Sequence, residues 1–210
     1  MIAPPERSSE RDAALEALLP LVPTHGWTFA ALRRALSESG GDPLDAELLF
    51  PGGAVELVEA FLDRADRAME PLPDEILALR PGARVRAMVI RRFAQARPDK
   101  DAVRRAVAIL ALPRNARVAL RCTARTVDTI WHLAGDTSAD VNWYSKRATL
   151  AGIYAATLLY WLRDAGEDDA ATVAFLDRRM AERARLGKLV ERAEGALGRL
   201  GRCRSRRHAA

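Results

Sequence analysis

Apolar residues recur at spacings of three and four along most of the chain, and no stretch keeps a two-residue alternation for long. That period is the mark of amphipathic helices. Ser9 with Asp12 predicts a capping box opening a helix whose apolar face is Leu15, Leu18, Leu19 and Val22, ended by His25-Gly26. Thr28 predicts the cap of a second helix carrying Leu32, Ala35 and Leu36, which Gly40-Gly41 breaks. Asp42-Pro43 reads as an N-cap with proline at the first helical position, opening a short helix to Phe50. After Pro51-Gly52-Gly53 comes a longer helix with Val55, Val58, Phe61, Leu62, Ala65 and Met69. Pro71 and Pro73 suggest a boundary. Beyond them the pattern predicts helices over about 82–97, 99–112, 113–134, 139–164 and 168–186, then a glycine-interrupted basic tail.

The chain's 210 residues carry 33 Lys and Arg against 28 Asp and Glu, a net +5 that by itself points to polyanions. The average hides an asymmetry. From Arg178 onward there are 11 basic and 3 acidic residues, whereas the 177 residues before it hold 22 and 25. The excess positive charge belongs to the tail. Two cysteines without a CxxC pattern give neither a disulfide framework nor a zinc knuckle. Met1 to Asp12 has no apolar core and contains acids, so no secretory or transit segment is expected. The uncharged run Ala148 to Leu162 is fifteen residues long. As a helix it spans roughly 22 Å, short of the roughly 30 Å of a bilayer core.

The stretch from Ala14 to Phe50 resembles the DNA-binding end of TetR-type regulators, three short helices followed by a Pro-Gly turn. The recognition helix would be Pro43 to Phe50, which holds Asp45 and Glu47 and no cation. Phosphates are anionic, and base edges are read mainly by Arg, Lys, Asn and Gln. This segment therefore reads as a scaffold, and no DNA partner is expected.

Candidate chemistry is sparse. Three scattered histidines and no Glu-x-x-His give no di-iron ligand set. Asp128 and His132 lie four apart on one predicted helix, a spacing that serves a structural contact more often than a catalytic dyad. No nucleophile elbow, P-loop or dinucleotide fingerprint occurs. The sequence argues against an enzyme and calls for no cofactor and no metal.

Six of the twelve aromatic residues fall between Trp131 and Trp161. Trp143 and Tyr144 stand beside Asn142, Lys146 and Arg147 and read as an exposed anchor patch, whereas Tyr154 and Trp161 read as core. The block Gly135-Asp136-Thr137-Ser138-Ala139-Asp140-Val141-Asn142-Trp143-Tyr144-Ser145-Lys146-Arg147, with Ala174-Phe175-Leu176-Asp177-Arg178-Arg179 downstream, resembles the Coq-nine family of ubiquinone-biosynthesis proteins. The likeness is strongest from Trp131 to Met180. It implies an all-α, TetR-like homodimer that has lost DNA binding and holds isoprenoid quinone lipid in an apolar pocket. It also implies a non-catalytic role: presenting demethoxyubiquinone to the di-iron hydroxylase that acts on it. The family's docking patch maps onto Asp140, Asn142, Trp143, Tyr144 and Arg147. The resemblance without a targeting segment implies a bacterial-type protein, cytoplasmic and peripherally membrane-associated. The apolar 148–162 stretch, needing cover on every side, also predicts a dimer.

In the tail, Leu186, Leu189, Val190, Leu197 and Leu200 recur at helical spacing, with Lys188, Arg192, Arg199 and Arg202 mostly off that stripe. This is a basic amphipathic helix suited to an anionic membrane surface, each cation contributing about 1 kcal/mol. The glycines oppose it by up to roughly 1 kcal/mol each. The expected fold class is thus an all-α, TetR-like helical bundle in three parts. A helix-turn-helix-like part covers 1–70, a lipid-binding and dimerisation part 71–186, and a basic amphipathic tail 187–210. The alternative reading is a TetR-type transcriptional regulator binding DNA and a small apolar effector.

Overall fold

The computed structural model describes residues 3–136, 141–166, 168–183 and 185, with the backbone alone at 141 and 142. Every regular element among them is helical. In chain order these are α1 Ser9–Leu18, α2 Val22–His25, α3 Phe29–Glu38, α4 Asp45–Leu49, α5 Gly53–Arg67, α6 Asp74–Leu77, α7 Pro81–Ala96, α8 Lys100–Leu110, α9 Ala116–Leu133 and α10 Val141–Arg163. Residues up to Leu162 form one compact unit, in which α5 packs on α7, α8 and α9 across the Pro71 turn, and residues from Arg163 form a second. In that second unit a helix over 170–183 begins beside Asp164, whose carboxylate accepts from the Thr172 amide at 3.1 Å and hydroxyl at 2.6 Å.

Several boundaries differ from the sequence expectation for identifiable reasons. The first helix is capped by Ser8 rather than Ser9: its Oγ accepts from the Arg11 amide at 3.1 Å. Asp12 is thereby free of the cap and takes a bidentate pair with Arg67, at 2.7 and 3.0 Å. Pro20 and Pro23 have no amide to donate, so the path to His25 tightens into a 3-10 turn at Leu19–Leu21 before α2. Thr28 does cap α3, accepting from the Ala31 amide at 3.2 Å. The third helix is shorter than read. The Asp42 carboxylate accepts from the Leu44 amide at 2.8 Å, which holds Asp42 to Leu44 in a turn and delays α4 to Asp45.

The N-terminal helices are locked to the rest by two large side chains. Trp27 is fully buried, donates its indole N–H to the Ala102 carbonyl of α8 at 3.1 Å, and lies 4.9 Å from the Phe61 ring of α5. Arg11, also buried, donates to the Leu49 carbonyl at the end of α4 at 2.5 Å and to Glu56 at 2.6 Å, with its guanidinium 4.4 Å above Phe50. It thus satisfies an orphan carbonyl at a helix C-terminus.

The core of the larger unit is threaded by charge. On α5, Glu59, Asp63 and Asp66 are buried. Glu59 accepts from Arg125 at 2.8 Å and Arg121 at 2.9 Å, Asp63 from Arg7 at 2.7 Å and Arg67 at 3.1 Å, and Asp66 from Arg92 at 3.1 Å and the Thr126 hydroxyl at 2.8 Å. Burial pushes the Asp63 carboxyl up, but hydrogen bonds from Arg7 and Arg67 outweigh it and the net shift is downward. A lowered folded pKa makes a contribution that is present at neutral pH and lost as the carboxylate protonates. Asp63→Asn should therefore destabilise at pH 7 by roughly 1.5–3 kcal/mol, the range for hydrogen bonds to a charged group. The gap in thermal midpoint between wild type and variant should close as the pH falls below about 4. A gap that stays constant from neutral to acid pH is the opposing result.

Candidate functional site

The expected anchor patch forms where α10 lies along α9. The end of α9 decides its geometry. Gly135 sits at φ +79°, the Gly135 amide donates to the His132 carbonyl at 2.9 Å, and the Asp136 amide donates to the Trp131 carbonyl at 3.0 Å. These two bonds are a Schellman cap, which requires the left-handed residue that glycine supplies. The cap turns the Asp136 side chain inward, where it is 7% exposed. Its two oxygens accept from Lys146 Nζ at 2.9 Å and Arg147 Nη1 at 3.2 Å. The Asp128 carboxylate accepts from Arg147 Nε at 2.7 Å. Asp128 is therefore a partner of Arg147, not of the His132 that its four-residue spacing suggested.

With both carboxylates engaged, the Arg147 guanidinium lies 3.9 Å from the centroid of Trp143, and the Tyr144 ring meets Trp143 edge-on at 4.7 Å. Tyr144 is 72% exposed. A guanidinium on the face of tryptophan fixes the ring without covering its far side. Two acids and two bases leave the cluster neutral, so what it presents to solvent is mainly aromatic surface. Lys146 extends the arrangement inward, its Nζ lying 5.5 Å from the Trp131 ring.

Beneath the ring pair runs an open groove of about 320 Å³. Leu120, Thr123, Ala124 and Val127 of α9 form one wall, and Trp143, Tyr144, Ala148 and Ala151 of α10 the other. Its charged groups, Asp128 and Arg147, are those already paired at one end. A second, interior cavity of about 60 Å³ lies between α7, α8, α9 and α10, against Phe93, Val107, Leu110, Tyr154 and Trp161. It has room for a few waters and nothing larger. Thr123 faces both spaces, so the α9 backbone there is the partition between them. Cys122 also borders the cavity, and burial pushes its thiol up to about 11, which keeps it protonated and unreactive.

Of the residues expected to dock a partner, Trp143, Tyr144 and Arg147 are brought together. Asp140 and the Asn142 side chain lie outside the described residues, as do the tail positions Leu186, Lys188, Leu189, Val190, Arg192, Leu197, Arg199, Leu200 and Arg202. Tyr154 and Trp161 are buried, as the uncharged run suggested, and lie 5.4 and 5.5 Å from Phe93. The sequence reading missed Asp136 and Asp128 as the groups that aim Arg147. Part of the signal was present in Gly135, since a glycine just past a periodic segment marks a helix C-terminus, but nothing local says where the next side chain turns. Among the described residues no cluster of three or more His, Cys, Asp or Glu could hold a metal ion, and no helix is long and apolar enough to cross a membrane.

A family model described as COQ9 matches residues 116–187, beginning at the first residue of α9 and taking in both groove walls and the aromatic cluster. The chain carries a COQ9-family domain. The ubiquinone biosynthesis protein COQ9, mitochondrial, of Rattus norvegicus is 33% identical over 182 residues, covering 82% of this chain and 58% of that protein. The human protein of the same name is 32% identical over 182 residues, covering 82% and 57%. That of Drosophila melanogaster is 32% identical over 197 residues, covering 88% and 58%. The chain thus spans somewhat over half the length of the curated relatives it matches. Among solved structures, a TetR transcriptional regulator from Nitrosomonas europaea superimposes with a TM-score of 0.67 over 84% of this chain and 99% of its own, at 22% identity. That likeness establishes a TetR-like helical fold.

The cap that aims Asp136 is a point of attack. In Gly135→Ala the new Cβ adopts a left-handed backbone and stands 3.2 Å from Arg84 Nη1. The expected cost is about 1–2 kcal/mol, a fall in thermal midpoint of ~2–8 °C for a domain of this size. Loss of the Trp143 near-ultraviolet dichroism should accompany it. An unchanged midpoint would show that the cap does not hold the cluster.

Proposed function

We propose that this COQ9-domain protein is a non-catalytic lipid carrier of ubiquinone biosynthesis. In this reading it binds isoprenoid quinone intermediates and presents demethoxyubiquinone to its di-iron hydroxylase at a membrane surface. The observation that carries the proposal is the coincidence of groove and patch: Trp143, Tyr144 and Arg147 line the apolar groove and at the same time form the exposed aromatic surface. A lipid lying in the groove would have its end directly under the rings that face a partner. Each methylene taken from water into such a groove contributes about 0.8 kcal/mol. Trp, Tyr and Arg are the residues that most often dominate protein interfaces. Asp140 and Asn142 flank them in sequence and complete the docking set.

A homodimer belongs to the same reading. Gly152, Ala155 and Leu159 form an exposed, uncharged stripe on α10 that suits a second protomer. The basic tail, from Leu186 to Arg202, is assigned to the anionic bilayer that supplies the lipid. The regulator reading is disfavoured by charge. From Ala35 to Asp63 there is no Lys or Arg, and α4 with the residue before it exposes Leu44 and Leu48 beside Asp45 and Glu47. A polyanion would be repelled from that surface.

Mass spectrometry of lipid extracted from the purified protein should find an isoprenoid quinone species, and Ala148→Phe, which fills the groove from an exposed position, should reduce its amount severalfold. Recovery of equal quinone from both, or of none from either, would remove the lipid part. Trp143→Ala should weaken hydroxylase binding at least tenfold, about 1.4 kcal/mol or more, with far-ultraviolet circular dichroism unchanged. Unaltered binding would refute the docking role.

A further inference from the structure

The turn from α8 into α9 carries a surface that neither the groove nor the tail accounts for. From Ala102 to Val127 the chain has six arginines and no acidic residue. Four of the six are engaged: Arg104 with Asp101, Arg105 with the Pro23 carbonyl at 2.6 Å, and Arg121 and Arg125 with Glu59. Arg114 and Arg117 are exposed, and neither makes an ion pair among the described residues. Beside them Leu112 is 39% exposed, and Ala111 and Pro113 are exposed too. Arg117 lies three residues after Arg114, Leu120 and Arg121 lie three and four after Arg117, and Ala124 lies four and three after those two, so they share one face of the α9 helix and the turn before it. Leu120, 71% exposed, and Ala124 are also wall residues of the groove. The basic face therefore runs straight into the groove's open side. The acids that meet α9 among the described residues are already engaged, Glu59 by Arg121 and Arg125, Asp66 by Thr126 and Arg92, and Asp128, on α9 itself, by Arg147.

We propose that this corner, Leu112 and Pro113 with Arg114 and Arg117, is a docking surface for an anionic lipid bilayer, set apart from the tail. Exposed aliphatic side chains between unpaired guanidinium groups match the layered chemistry of a bilayer interface, apolar below and anionic at the phosphate plane. A single-stranded nucleic acid would instead call for aromatic rings interleaved with the cations, and none lies between Ala102 and Val127. Seated this way, the corner holds the Leu120 end of the groove at the headgroup layer, where a lipid can pass between bilayer and protein without crossing water. The surface stands whether or not the groove carries a quinone, although that reading gives it a purpose.

The test uses the full chain and vesicles of phosphatidylcholine with phosphatidylglycerol. An arginine near an anionic surface contributes about 1 kcal/mol, or roughly fivefold in partitioning. Arg114→Ala with Arg117→Ala should therefore lower the vesicle partition coefficient by about 20- to 30-fold, with the thermal midpoint unchanged. Leu112→Ser should lower it severalfold. The exposed pair Arg33→Ala with Arg34→Ala, on α3, removes the same charge elsewhere and should change partitioning far less. Equal losses from the two pairs, or none from the α9 pair, overturn the proposal. So does a double variant that keeps its vesicle binding and loses affinity for duplex DNA. The comparison needs no quinone, so an empty groove would count against the proposed function and leave this result standing.

Discussion

The helices of the larger unit are tied together through a row of four carboxylates on α5, three of them buried. Glu56, Glu59, Asp63 and Asp66 follow one another at three, four and three residues and so share a face of that helix. Each meets an arginine from a different part of the chain: Arg11 of α1, Arg121 and Arg125 of α9, Arg7 of the N-terminal segment, and Arg92 of α7. Ionised groups taken out of water recover little net stability from such pairing, because desolvation consumes most of the attraction. Their effect is to forbid alternatives. An all-helical bundle of Leu, Val and Ala can slide by a turn at small cost, whereas a turn's slip here would leave several buried charges without partners.

The candidate site inherits its precision from that spine. Glu59 and Asp66 reach Arg125 and Thr126 on α9, which fixes both rotation and height of that helix. Asp128 follows within the next turn and, with Asp136 beyond the cap, sets the position of Arg147. Arg147 in turn sets Trp143. The link from α5 to the exposed rings thus runs from Glu59 to Arg125, along the α9 backbone to Asp128, and on through Arg147 to the indole of Trp143. An aromatic patch placed by fixed charges pays less conformational entropy on meeting a partner than one on a free loop.

What was legible in the sequence follows from the kind of signal each feature leaves. Apolar spacing marked the major helices to within a few residues, because burial of one face imposes a period that is independent of partners. Trp143, Tyr144 and Arg147 stood out since rings and cations crowd together at one helix start. The α5 spine was illegible for the opposite reason. Acids at helical spacing read as a solvated face, and only the tertiary neighbours reveal that Arg7, Arg92 and Arg125 lie against them. Asp128 and Asp136 were hidden in the same way, one behind its spacing to His132 and one behind a glycine. The turn Asp42 to Leu44 shows a local contest: a side-chain bond to the Leu44 amide holds the turn and costs the third helix its first residues.

Charge along the chain is segregated, and the fold explains only part of it. The cation-free segment Ala35 to Asp63 and the acid-free segment Ala102 to Val127 are brought together by α5 and α9, and Glu59 with Arg121 and Arg125 cancels much of the contrast internally. The remainder sits at the surface: Asp42 and Asp45 near α4, and Arg114 and Arg117 at the α8–α9 corner. A unit with acids at one place and cations at another is turned by an anionic surface before it touches it, since the potential extends about a Debye length, near 8 Å at physiological salt. The surface that would face such a membrane is the one where the groove opens, since Leu120 and Ala124 of its wall follow Arg117 on α9. The acids near α4 and the exposed guanidinium groups beside α9 are then two ends of one charge distribution, and only the second suits an anionic surface.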